Sequence, residues 1–255
     1  MREPAGKRIW KLLLPLCLWL GVWQFLAWRV GQSLLLPGPW EVLTRLFELA
    51  GTGPFWTTCL TSLGRVFLGG ALGALLGMAV AALSVWKAPI GWALTPLMKI
   101  VRATPVASFI LLIWLWCSSG WVPVVIAALM SAPVVWSATA QGIESVDPKL
   151  LELGRAYRFD GWKLVRLVYI PSARSAVAAG CRTAMGLAWK AGVAAEALSR
   201  PRLALGTQVY NSKVYLETAD LFAWTAAVVI LSFLLERGIW ALWRLWERRG
   251  EHGGA

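Results

Sequence analysis

The sequence predicts an all-α, polytopic membrane protein with about six transmembrane helices and one charged cytoplasmic loop. Three observations carry this. The chain is 58% hydrophobic and only 15% charged, whereas soluble domains run near about a quarter charged. The charges are gathered: Asp147, Lys149, Glu152, Arg155, Arg158, Asp160, Lys163 and Arg166 sit in one internal stretch between long apolar runs, and the termini are the other charged regions. Eighteen Trp residues fit a chain anchored at membrane–water interfaces, where an apolar ring with one N–H donor is best placed. A soluble all-helical protein with a large core would need polar helix faces that most of these segments lack.

The net charge is +12. In a soluble protein such an excess points to nucleic acid; here it is expected to mark cytoplasmic Lys and Arg facing anionic headgroups. Cys17, Cys59, Cys117 and Cys181 lie in or beside apolar runs without metal-ligand spacing and are expected to be small buried hydrophobes. The one histidine, His252, lies in a Gly-rich tail, so no metal site and no His-based catalytic site is predicted.

The single transmembrane domain, 1–255, divides into spans and connecting segments. The first span, 12–30, comes after Arg2, Lys7, Arg8 and Lys11, which places its N-terminus in the cytoplasm. It has no convincing cleavage motif and is read as a span rather than a removed signal peptide. Pro15 is expected in the first turn, where a missing N–H costs least. Residues 31–55 form an outer loop. Its Leu36-Pro37-Gly38-Pro39 turn leads into an amphipathic interfacial helix from Trp40 to Ala50, with Val42, Leu43, Leu46, Phe47 and Ala50 apolar.

Spans two to four occupy 56–143. The second (56–86) carries Gly69, Gly73 and Gly77, every four residues on one helix face, as a packing surface. The third lies within 89–117, with Pro105 near its start, and the fourth covers 121–143. The cytoplasmic loop is 144–171. Asp147-Pro148 and Asp160 are helix starts, Asp as N-cap with Pro at the first position. They predict two short helices joined at a bend near Phe159 to Gly161, the second ended by Pro171. Spans five and six fall in 172–242 with an outer loop from Ser199 to Ala219, and 243–255 is a cytoplasmic tail. This leaves both termini inside and most Lys and Arg on the inner side.

Arg65, Arg182, Lys190 and Glu196 fall inside predicted spans. A charge at the bilayer centre costs roughly 2.5–3.5 kcal/mol on insertion scales and normally faces protein or a watery pathway. Arg182 and Lys190 point about 80° apart on a helix and can share a broad face. Two readings stand: these groups and Trp189 line a translocation pathway that favours an anion, or Arg182 or Lys190 pairs with Glu196 or a carbonyl for structure.

The loop resembles the signature of permease subunits of bacterial ABC importers of the binding-protein-dependent type: E-A-A, three residues, G, nine residues, I-x-L-P. Glu152-Leu153-Gly154 stands at E-A-A and Val168-Tyr169-Ile170-Pro171 at I-x-L-P, with the same spacing. The signature glycine position holds Arg158, and Gly161 is expected to supply the bend instead. Gly186-Leu187-Ala188-Trp189, Ala194-Ala195-Glu196, Leu36-Pro37-Gly38-Pro39 and Ser62-Leu63-Gly64-Arg65-Val66 resemble the nitrate/sulfonate/taurine branch. Lys190 stands where that branch usually has an apolar residue.

The resemblance implies a type I ABC importer-like fold in a bacterial plasma (inner) membrane and an ATP-driven import role for a small anion such as nitrate, sulfonate or taurine. It implies ATPase contact through Asp147, Leu151, Glu152, Gly154, Arg155, Tyr157, Arg158, Phe159, Asp160, Gly161 and Pro171. The chain has no G-x-x-x-x-G-K-[ST] phosphate loop, so it is expected to bind no cofactor itself. ATP and Mg are expected on two copies of a partner ATPase, with a second permease copy (a homodimer) and an extracytoplasmic solute-binding protein completing the assembly. The loop could instead lie on anionic lipid. An aromatic or heterocyclic cargo, such as a thiamine precursor or a riboflavin-like compound, is the alternative within the family. A stand-alone secondary transporter would be expected to show internal repeats, which are absent here. A membrane enzyme would need a convergent set of catalytic groups.

Overall fold

The computed structural model describes residues 5–251, and the side chains of residues 13–85, 87 and 89–241. Among these it is all helical, with eleven α-helices and one π-helical turn. Three helices form its centre: α3 (Gly53–Trp86), α6 (Val122–Glu144) and α9 (Ile170–Ser199). With 34 residues, α3 is about 50 Å long and exceeds the ~30 Å hydrocarbon core of a bilayer.

Small residues decide how these helices meet. A methyl group on Gly77 would lie 2.5 Å from the Ala132 carbonyl oxygen; on Gly69 and Gly73 it would run into the backbone of Val124 and Ala128. All three glycines therefore face α6. On α6 itself, Gly142 meets Ala173 of α9, where an added Cβ would sit 3.0 Å from the alanine methyl, and Ala138 meets Gly180. Close van der Waals contact holds such helices together, since lipid tails are as apolar as the side chains. Val66, Ala127, Met185, Ala188 and Trp189 fill the space between them.

The stretch expected to hold the third span is not a straight helix. α4 (Ala88–Ala103) and α5 (Val106–Trp114) meet at a 102° bend. Pro105 has no N–H to continue the helix and forces Thr104 out of the helical region, to ψ 132°. Arg102 anchors the end of α4 to α6 by donating to the Pro133 carbonyl oxygen and to Ser137 Oγ, both at 2.6 Å.

The periphery differs from expectation at several points. α1 (Ala5–Val30) begins well before Pro15, which lies inside the helix; membrane helices tolerate this because neighbours and water satisfy the freed carbonyl. Cys17 is exposed on α1 rather than buried. α2 (Pro39–Ala50) is amphipathic: Val42 is buried, while Trp40 and Phe47 stand out at 77% and 74% exposure. The Ser199 to Ala219 region is not all loop, because α10 (Leu205–Val214) forms there. α11 (Thr218–Glu251) runs on past 242 into the expected tail; His252 and the N-terminal basic residues' side chains lie outside the described residues.

By length and composition, α1, α3, α6 and α11 each suffice to cross a membrane, and the α4–α5 pair makes a fifth if counted as one span. α9 does not pass that test, because Arg174, Arg182, Lys190 and Glu196 interrupt it. It sits instead against α3 and α6 in the centre of the bundle.

Candidate functional site

The signature segment folds as two short helices. Asp147 caps α7 (Pro148–Ala156), its Oδ1 accepting from the Lys149 amide at 2.9 Å. α7 ends in a Schellman turn: the Phe159 amide donates to the Gly154 carbonyl and the Arg158 amide to the Arg155 carbonyl, both at 2.9 Å. Arg158 is the residue that turns the chain, with φ at +51°. The bend therefore falls at the signature glycine's position and not at Gly161, whose place is the first residue of α8 (Gly161–Leu164). Asp160 caps α8 by accepting from the Lys163 amide at 2.7 Å.

Pro171 does not end the second helix. A π-helical turn over Val165–Tyr169 joins α8 directly to α9, and Pro171 is the second residue of α9. A proline ring clashes with the carbonyl four residues back in an α-helix; the wider π turn just before it relieves that contact. Within α7 only Gly154 is buried, lying so close to Leu164 that a Cβ would sit 2.7 Å from its Cδ1. Leu151 and Phe159 are half-buried, while Leu150, Glu152, Leu153, Arg155 and Tyr157 are exposed. Leu150, Leu153 and Tyr157, at i, i+3 and i+7, make one bare apolar row.

The other named residues fall into three places. Arg182 and Lys190 are both exposed on α9, on a face shared with Ser175, Ala179, Thr183 and Ala194. Trp189 is buried in the core, its Nε1 donating to the Val228 carbonyl of α11 at 3.2 Å. Glu196 is fully buried, where α9 meets α3 and α10.

Glu196 organises a polar cluster. Its Oε2 accepts from Ser62 Oγ at 2.8 Å and from the Gly206 amide at 3.1 Å. Ser62 Oγ in turn accepts from the Leu205 amide at 2.9 Å. The Arg65 guanidinium lies 3.7 Å from Glu196 Oε1 and donates to the carbonyls of Arg202 and Leu203 at 3.0 and 3.1 Å. The carboxylate thus faces the start of α10, where unsatisfied amides favour negative charge. Its cation partner is Arg65, not Arg182 or Lys190. The sequence marks Ser62 only within the stretch Ser62 to Val66 and not as a site residue, although its place three residues before Arg65 puts both on neighbouring parts of one face. The Gly206 amide has no sequence signal.

Farther out, Arg45 of α2 forms a two-point contact with Asp220 of α11, its Nη2 donating to Oδ2 at 3.0 Å. Hydrogen bonds to Asp220 and then to Glu48 raise the Arg45 pKa.

This chain is similar to known transport proteins over most of its length. Residues 73–237 match the family described as binding-protein-dependent transport system inner membrane component. A taurine transport system permease protein of Escherichia coli (strain K12) is 28% identical, over 95% of this chain and 90% of its own length. A putative aliphatic sulfonates transport permease protein of Bacillus subtilis (strain 168) is 27% identical, over 97% and 90%. A bicarbonate transport system permease protein of Synechococcus elongatus (strain ATCC 33912 / PCC 7942 / FACHB-805) is 26% identical, over 92% and 91%. Among solved structures, an inward-facing methionine ABC transporter matches the fold with a TM-score of 0.64, at 17% identity, over 76% of this chain and 98% of that one. An amino acid ABC transporter with histidines matches with a TM-score of 0.60, at 21% identity, over 81% and 95%.

Proposed function

Because the chain belongs to the family of binding-protein-dependent transport system inner membrane components, we infer that its place is in an ATP-driven importer. It is a transmembrane permease subunit of an ABC importer, working with an ATPase and a solute-binding protein, and not an enzyme. We propose that α7 and α8 are its coupling segment and that two ATPase subunits, carrying Mg-ATP, dock on it from the cytoplasm. The bare row of Leu150, Leu153 and Tyr157 beside Glu152 and Arg155 carries this reading. It is an apolar patch with a charged rim, the composition of a docking surface.

In the same reading two copies of the chain face each other across the open face of α9, and the solute passes between them. Arg182 and Lys190 on that face favour a small anion. The relatives named for taurine, aliphatic sulfonates and bicarbonate support such a cargo more than an aromatic or heterocyclic one. Both termini lie in the cytoplasm, with the basic residues of the inner segments holding that orientation.

The test is a pull-down of the tagged chain in mild detergent with its copurifying subunits identified. An ATPase with a phosphate loop, lost when Leu153 and Tyr157 are both changed to Asp, is the expected result. Undiminished ATPase capture by that variant would overturn the docking assignment. The captured binding protein, screened against sulfonates, nitrate, bicarbonate and neutral heterocycles, reads out the cargo class.

A further inference from the structure

A cavity of about 1010 Å³ lies where the ends of α3 and α6 meet the π turn and the start of α9. This is at the upper end of the ~300–1,000 Å³ typical of small-molecule sites. Its wall is overwhelmingly apolar, with Met78 and Leu83 from α3, Ile143 from α6, Val165 from the π turn and Val177 from α9. Two features break the apolar lining. Arg174 is the one charged residue on that wall among the described residues. Thr139 of α6 is 7% exposed, and its Oγ1 has no hydrogen-bond partner among the described residues. A threonine in a helix usually satisfies its hydroxyl on a carbonyl of the preceding turn, as Thr95, Thr104 and Thr183 do here. A buried hydroxyl left open needs an acceptor from elsewhere.

An apolar body with one anionic end meets all of these conditions. The cation and the free hydroxyl would hold a phosphate oxygen, and the remaining wall would take hydrocarbon. The helices around the cavity belong to a membrane permease, which puts lipid hydrocarbon within reach of its apolar wall. We propose that this cavity is a binding site for one anionic membrane phospholipid, with its phosphate at Arg174 and Thr139 and an acyl chain along α3 and the π turn.

The site is distinct from the open face of α9. On a helix, residues two apart point about 160° apart, so Val177 and Cys181 on the cavity wall face away from the exposed Ala179 and Thr183. The cavity touches Trp162, Val165 and Tyr169, which connect the coupling segment to α9. A bound lipid therefore braces that joint. The proposal needs the chain to be in a membrane and does not depend on ATPase docking or on the cargo.

The experiment is native mass spectrometry of the purified full chain titrated with phosphatidylglycerol, phosphatidylcholine or glycerol phosphate. Expected are about tenfold tighter binding of phosphatidylglycerol than of phosphatidylcholine, whose phosphate carries the same charge but whose choline cation is repelled by Arg174, and no measurable binding of glycerol phosphate. Arg174→Gln should abolish the preference and Lys163→Gln should leave it. The reverse pattern means binding to the outer surface only and overturns the proposal, as does glycerol phosphate binding as tightly as the lipid. A second measurement needs no variant: Cys181 lines the cavity, and phosphatidylglycerol should slow its maleimide labelling several-fold more than phosphatidylcholine does. Equal labelling rates would overturn the site, and cross-linking of Cys181 to a second protein chain would assign the cavity to that chain instead.

Discussion

Ser62 Oγ donates to Glu196 Oε2 at 2.8 Å in the protein interior, joining α3 to α9 across 134 residues of sequence. The same hydroxyl accepts the Leu205 amide, and the same carboxylate oxygen accepts the Gly206 amide. Two side chains thus place the start of α10. Arg65 completes the arrangement by holding the carbonyls of Arg202 and Leu203. These contacts fix the chain between α9 and α10, where Leu203 takes a φ of +50°.

This cluster predicts an order of costs. Glu196→Ala leaves two amide or hydroxyl donors and the nearby guanidinium without their acceptor, and should cost about 3 kcal/mol or more. Glu196→Gln keeps one oxygen for the Gly206 amide and should cost less. Ser62→Ala removes a donor and an acceptor and should cost about 1–2 kcal/mol. Thermal unfolding in detergent, followed by loss of monodisperse protein, ranks the three. Equal stability of Glu196→Ala and wild type would remove the cluster's structural role.

A second prediction concerns Arg158. A non-glycine residue in the left-handed region carries a steric cost of about 1 kcal/mol, and the Schellman turn requires that region here. Arg158→Gly should therefore stabilise the turn, by up to about 1 kcal/mol. Arg158→Val should weaken it. Hydrogen exchange at the Phe159 amide reports the change directly; slower exchange in the valine variant would contradict the assignment.

The α3–α6 contact gives a third. Gly73→Ala would drive a methyl into the Ala128 backbone and Ser131, costing about 1–3 kcal/mol as overpacking. Gly64→Ala, earlier on the same helix, meets nothing within 4 Å and should be neutral or stabilising by up to about 1 kcal/mol. Tm values of the two variants side by side test the seam, and a harmless Gly73→Ala would rule it out.

The fourth prediction separates pathway from scaffold on α9. Arg182 and Lys190 are exposed in the single chain, so Arg182→Gln and Lys190→Gln should leave its thermal stability within about 0.5 kcal/mol. In reconstituted importer each should lower uptake of an anionic cargo severalfold. Trp189→Ala should act the other way, losing about 3–5 kcal/mol of core packing. Normal uptake by the double glutamine variant would take both cations out of the pathway.

Much of this protein follows from local chemistry. The apolar runs dictate membrane helices, because a backbone in lipid must satisfy its own hydrogen bonds. Asp147-Pro148 and Asp160 mark helix starts because an Asp side chain reaches the amides just after it in sequence, and the structure has helices there. The glycine row on α3 marks a face before its partner is known. Tertiary structure decided what local chemistry leaves open. The left-handed residue of the bend is Arg158 rather than a nearby glycine, because the two helix ends must meet at Gly154 and Leu164. Pro171 continues a helix because a π turn precedes it. Glu196 pairs with Arg65 and Ser62, far away in the chain and on another helix, and α10 exists where its amides find that carboxylate. A charge in an apolar segment announces that it needs a partner, but only the packing of helices distant in sequence determines which group comes within reach.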